Sequence, residues 1–137
     1  MARVIDMIVI QGDVNRRIGD GALLWEKTFE TGGAVGSQAI LTLMVKGLTY
    51  AEQPVNVKIN NQVVGQIFPQ RWPTAQLRDA AAEHWTTQTI NIGGGVLKNS
   101  GSNELQIEAV GFPEATGTNA FDNFYLRDVV CFFQQDA

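Results

Sequence analysis

The sequence predicts an all-β protein, a two-sheet antiparallel sandwich with one short inserted helix. Three observations predict it. Apolar residues recur with a period of two along most of the chain. Turns rich in glycine and asparagine separate the apolar rows. One alanine-rich stretch alone departs from that period. A half-buried strand turns alternate side chains to core and water, so the period reports the element directly.

Val4, Ile5, Met7, Ile8, Val9 and Ile10 open the chain with apolar groups in both phases. Such a strand is either covered on two sides or bulged so that its phase shifts. Next, Leu23, Trp25 and Phe29 share one side of a strand that shows Glu26, Thr28 and Glu30 on the other. A loop at 31–36 follows. Ala39, Leu41, Leu43 and Val45 then form an apolar row opposite Thr42 and Lys46. Val55, Val57 and Ile59 alternate with Asn56, Lys58 and Asn60, and Asn60-Asn61-Gln62 turns the chain into a strand over 63–68.

The exception spans 74–84, which reads as a helix of about three turns. Pro73 precedes it, Thr74 can cap it, and Ala75, Ala80, Ala81 and Ala82 favour it. Leu77, Ala81 and His84 share a helical face between Trp72 and Trp85. This connection is expected to seal one end of the sandwich with at least one tryptophan buried.

Beyond it, Thr86-Thr87-Gln88-Thr89 leads to Ile90 and Ile92, with β-branched residues that favour an extended chain. Gly93-Gly94-Gly95 and the turn at 99–103 bracket Val96-Leu97-Lys98. Leu105, Ile107 and Ala109 alternate with Glu104, Gln106 and Glu108, and a loop covers 113–119. Phe124, Leu126, Val129, Val130, Cys131, Phe132 and Phe133 close the chain in both phases. Paired with the first strand, this segment would bring both termini to the centre of a sheet. The expected core is Leu41, Leu43, Val57, Ile59, Ile90, Ile92, Leu105, Ile107, Phe124 and Leu126. About eight strands over this length suit a jelly roll.

Composition sets the limits. A chain of 137 residues, 45% apolar, fits one domain over 1–137 with a core of its own. A net charge of −4 and one adjacent basic pair, Arg16-Arg17, argue against nucleic acid, which needs clustered cations. A single cysteine, Cys131, precludes an internal disulfide. Asp6 interrupts the first apolar stretch, so no leader is visible, and no window reaches the ~18 apolar residues of a membrane span. The expected compartment is the cytoplasm. A virion component or a protein exported without a leader would carry the same N-terminus.

One stretch resembles a known pattern. Val55-Asn56-Val57-Lys58-Ile59-Asn60-Asn61-Gln62-Val63-Val64-Gly65 precedes His84-Trp85-Thr86-Thr87-Gln88-Thr89-Ile90-Asn91-Ile92. Leu97-Lys98-Asn99-Ser100-Gly101-Ser102-Asn103-Glu104-Leu105-Gln106-Ile107 comes next, with Asn103 at a tight turn, and Asp122-Asn123-Phe124-Tyr125-Leu126 closes it. Over roughly residues 20–133 this is similar to the galactose-binding-like jelly roll of carbohydrate-binding modules. The resemblance implies a sandwich and a lectin-like role. The inserted segment from Trp72 to Trp85 departs from it, in a loop that could have carried ligand contacts.

Catalytic signals are poor. His84 is the only histidine, and Ser37, Ser100 and Ser102 sit in glycine-rich loops without a nucleophile elbow. Cys131 lies mid-strand, where a thiol is normally a small core hydrophobe. One cysteine and one histidine cannot fill a zinc site without carboxylates. Calcium needs only oxygens, and Asp13, Asn15 and Asp20, or Asn119, Asp122 and Asn123, are the candidate clusters. Gly19-Asp20-Gly21 and Gly93-Gly94-Gly95 open no helix after a strand, so neither cradles phosphate.

Two functional classes survive. The first is a non-catalytic carbohydrate-binding module that uses Trp72, Trp85, Tyr50 or Tyr125 as stacking platforms, with Asn119 and Asp122 on the hydroxyls. The second is a structural or assembly subunit. Ile40, Met44 and Val110, with the extra apolar residues of the terminal strands, face away from their strands' main rows. A closed homo-oligomer would cover them.

Overall fold

A computed structural model describes residues 3–33, 38–49, 51, 53–70, 74–113 and 119–136. The elements are β1 (Arg3–Gln11), β2 (Arg16–Ile18), β3 (Leu24–Phe29), β4 (Ala39–Lys46), β5 (Val55–Ile59), β6 (Gln62–Ile67), α1 (Ala75–Ala81), β7 (Thr86–Ile92), β8 (Asn103–Glu108), β9 (Gly111–Pro113), β10 (Asn119–Phe121) and β11 (Phe124–Asp136).

Two antiparallel sheets face each other. The first runs β1-β11-β4-β7, with β2 also pairing β11, and the second runs β3-β8-β5-β6. Apart from the β5–β6 hairpin, successive long strands alternate between sheets in the manner of a jelly roll, with first and last side by side. The short strands β2, β9 and β10 lie at the connections and were not marked by any alternation.

The period-two rows converge between the sheets. Leu41, Leu43, Val57, Ile59, Ile92, Leu105, Ile107, Phe124 and Leu126 are fully buried, and Ile90 nearly so. Across sheet one, Cys131 pairs with Leu41, which pairs in turn with Ile90. Across sheet two, Val57 pairs with Ile107, which pairs with Trp25. Every one of these side chains points inward because its strand has a pleat.

The terminal strands resolve their double phase differently. In β11 the register against β4 shifts between Arg127 and Val130. Before the shift Phe124 and Leu126 are buried; after it Val129, Cys131 and Phe133 are. The left-handed φ of 51° at Asp128 marks the bulge, and its N–H donates to the Gly12 carbonyl at 2.9 Å. In β1, by contrast, Ile10 is buried while Ile5, Met7 and Val9 face solvent. The two strands do pair, but only β11 is interior. β1 forms the sheet edge, which corrects the expectation of both termini at the centre.

Three further expectations are corrected. The helix is shorter than 74–84, although Thr74 Oγ1 does accept the Leu77 N–H at 3.2 Å as a cap. Leu77 and His84 are exposed and Trp85 is half-buried, while Trp72 and the side chain of Ala81 lie outside the described residues. Seven residues cannot stretch an apolar stripe across a sandwich end. Val110 packs partly buried against the core instead of facing out, because the chain leaves β8 before it. Finally, Pro113 and Asn119 pair with each other in a short β9–β10 ladder, while 114–118 lie outside the described residues.

Candidate binding cleft

The segment that enters β11 is a junction of hydrogen bonds. The Asp122 N–H donates to the Val110 carbonyl at 2.9 Å, and its carboxylate accepts the Ala51 N–H at 2.8 Å. Asp122 is almost wholly buried, so its charge is spent on fixing the chain after Thr49 to the start of β11. Asn123 does the same on the other side. Its Oδ1 accepts from the Asp20 N–H at 2.7 Å and from Arg17 Nη1 at 3.2 Å, and its Nδ2 donates to the Asp20 carboxylate at 3.3 Å.

Two glycines admit this segment. At Gly19 a Cβ would collide with the Asn123 side chain, and at Gly47, with φ of 94°, it would meet the Asn123 carbonyl at 3.0 Å. The close approach leaves an open cleft of about 280 Å³ beside the junction. Thr49, Phe121, Asp122 and Tyr125 line it, and Ala82 and Glu83 from the end of the helical connection form one wall.

One buried hydroxyl in this cleft has no partner among the described residues. Thr49 is only 8% exposed, and its Oγ1 makes no hydrogen bond among the described residues. A buried hydroxyl of that kind costs about 1–3 kcal/mol unless something reaches it.

Beside the cleft, the outward surface of β11 and β4 carries aromatics interleaved with cations. Tyr125 pairs across to Lys46 on one side and to Arg17 on the other. The Lys46 ammonium lies 5.2 Å from the Trp85 ring centroid and 5.5 Å from that of Tyr125. The Arg127 guanidinium lies 4.2 Å from the Trp85 ring centroid and forms an ion pair with Asp128, Nε to Oδ2 at 3.4 Å. Both cations are drawn to the negative ring face. The β11 bulge is what keeps Arg127 on this surface while the strand beyond it changes phase.

The structure therefore brings Asp122 and Tyr125 into one cleft and sets Trp85 next to it through Lys46. Tyr50, Trp72 and Ser37 lie outside the described residues, as does the side chain of Asn119. Residues of the two candidate calcium clusters meet in space. Asp20 meets Asn123 from the other cluster, while Asp13 and Asn15 sit exposed between β1 and β2. No group of three or more Asp, Glu, His or Cys side chains gathers among the described residues.

Cys131 is fully buried, and burial pushes its thiol up to about 11. A nucleophile needs the thiolate, which this environment disfavours.

Sequence reasoning missed Thr49, Phe121 and the cations Lys46 and Arg127. Periodicity is blind to Thr49, which follows a strand, and to contacts across 70 residues of chain. Arg127 was within reach, because the phase change between Leu126 and Val129 is written in the sequence.

No protein-family model matches the chain. No curated protein matches it significantly either. Among the described residues, no helix is long and apolar enough to cross a membrane.

Proposed function

We propose that the chain is a non-catalytic binding module that holds a polyhydroxylated ligand, foremost a carbohydrate, in the Thr49 cleft. The observation that carries this reading is the buried Thr49 hydroxyl, unpartnered among the described residues at a cleft bordered by Phe121 and Tyr125. A sugar presents what such a site lacks: hydroxyls that donate and accept, with C–H faces that pack on aromatic rings. The galactose-binding-like pattern around Asn60, Asn103 and Asp122 supports the same class by fold analogy. Lys46, Arg127 and Trp85 then form the rim, and Glu83 offers an acceptor from the helical side.

Titration with a panel of neutral mono- and disaccharides, followed by amide NMR, tests it. Shifts should cluster at Gly47, Thr49, Phe121 and Tyr125, and Thr49→Val should weaken binding at least tenfold while the fold persists. Absence of shifts at these amides at millimolar sugar would overturn the reading.

A further inference from the structure

The Thr49 cleft carries charge of one sign. Among its described lining residues only Glu83 and Asp122 are charged, and both are acids. Asp122 is almost wholly buried and its carboxylate accepts the Ala51 N–H at 2.8 Å, so it adds negative potential more than a free acceptor. Glu83 is the reverse case. It is exposed, and no described cation pairs with its carboxylate. Its place in the fold gives it no stabilising task either. The Glu83 N–H donates to the Ala80 carbonyl at 3.3 Å, which closes the turn after α1. A carboxylate just past the end of a helix opposes the dipole there. Lys46 and Arg127 are drawn instead to the Trp85 ring, 5.2 Å and 4.2 Å from its centroid, and neither lines the cleft.

We infer that the cleft selects an amino sugar, a hexosamine whose protonated amine lies against Glu83. The inference rests on the carbohydrate reading above and names the class within it. An ammonium group has three N–H donors and no acceptor. The Glu83 carboxylate supplies acceptors at the helical wall, and the buried Thr49 hydroxyl, unpartnered among the described residues, supplies another. The rings of Phe121 and Tyr125 favour both a cation and the C–H face of a sugar. Lys46 lies 5.5 Å from the Tyr125 ring centroid, so the amine belongs on the Glu83 side and the sugar hydroxyls beside Tyr125. A neutral sugar satisfies Thr49 and leaves Glu83 without a charge partner. An acidic sugar is repelled by both carboxylates. N-acetylation removes the charge that the cleft matches.

The same amide titration, run on the full chain near pH 6 and at low salt, tests the inference with glucosamine, N-acetylglucosamine, glucose and methylammonium. Glucosamine should bind about fivefold more tightly than glucose, the gain of one charge pair bordered by solvent. N-acetylglucosamine should show no such gain. Raising the pH to about 9 deprotonates an amine of the ordinary range, and the preference should then disappear. Glu83→Gln keeps an acceptor and removes the charge, so in that variant the ratio of the two affinities should fall to about one. Equal affinity for glucosamine and glucose in the wild type overturns the inference and leaves the carbohydrate reading standing. So does a preference that survives Glu83→Gln or the higher pH. Methylammonium that binds as tightly as glucosamine also overturns it, because the site would then take amines without a sugar ring. Binding of no sugar at all removes the carbohydrate reading and this inference with it.

Discussion

The outward faces of the two sheets share a fold and differ in chemistry. On sheet two, Lys58 pairs with Gln106, which pairs with Glu26 and donates to its carboxylate at 2.8 Å, while Gln66 bonds Asn56 at 3.0 Å. That face is closed by polar contacts. On sheet one, Met7 pairs with Phe132 and Phe132 with Ile40, and Val9 pairs with Val130. The inward rows of both sheets are equally apolar, so burial of the core does not separate them. The difference teaches that the sandwich requires only its inner faces. What the outer faces carry is left free for recognition, and here one of them is apolar around β1 and carries cations among aromatics beside the cleft.

The largest effect should come from an inner row. Leu41 is fully buried between Cys131 and Ile90 on its neighbouring strands. Leu41→Ala should cost about 2–5 kcal/mol, from lost transfer energy and the cavity left behind. Urea unfolding followed by tryptophan fluorescence measures it. A cost under about 1 kcal/mol would mean that the inner and outer rows are less distinct than burial suggests.

How much of this was legible can be argued from particular residues. The inner rows were, because a pleated strand with one wet face writes its burial directly into alternate positions. Asn103 was legible as a turn residue, though its task was not. It is fully buried, and its Oδ1 accepts from Asn60 Nδ2 and from the Lys98 N–H, both at 2.9 Å, tying the hairpin turn to a distant loop. The cleft was half legible. Tyr125 and Asp122 were named, but Thr49 acquires meaning only when residues far along the chain, Phe121 to Tyr125, fold against it. The edge position of β1 was not legible either. Two apolar phases leave double burial and a bulge equally open in β1 and β11, and only the pairing shows that β11 lies inside the sheet while β1 forms its edge.

The next effect belongs to Cys131, on the inner side of β11. Its raised thiol pKa makes the folded chain hold a proton that the unfolded chain releases above about pH 9. Stability should therefore fall as pH rises from 9 toward 11, by about 1.4 kcal/mol per unit, and level off above. Cys131→Ala removes that slope, and the difference between the two chains cancels the lysines and tyrosines that titrate nearby. Parallel pH profiles for both proteins would show the thiol is not held from water.

A smaller effect is expected where the two sheets come closest on the side away from β1. A Cβ added to Gly65 of β6 would meet Ile90 Cγ2 of β7 at 2.5 Å. Gly65→Ala should destabilise by about 1–3 kcal/mol through overpacking. Calorimetric melting reads this as a lowered Tm. An unchanged Tm would mean that β6 can retreat from β7, so that the hydrogen bonds between the Gln88 side chain and the Phe68 backbone alone hold that edge.

The smallest effect should come from the residue next to Leu41 on the same strand. Ile40 points outward from sheet one at 41% exposure, paired with Phe132 and Asn91. Within one chain, Ile40→Thr removes little buried surface, and threonine keeps the β-branched shape that a strand favours. Its cost should stay within about 0.5 kcal/mol, measured by urea unfolding at the lowest protein concentration that fluorescence allows. Two neighbouring positions of β4 would then differ severalfold in cost, in keeping with the face that each one joins. At higher concentration the outcome carries a second message. If another copy covers the apolar face, the wild type should gain stability with concentration and Ile40→Thr should gain less. A loss above about 1 kcal/mol at the lowest concentration would instead mean that the monomer already covers Ile40, and the contrast between the two outward faces would shrink accordingly.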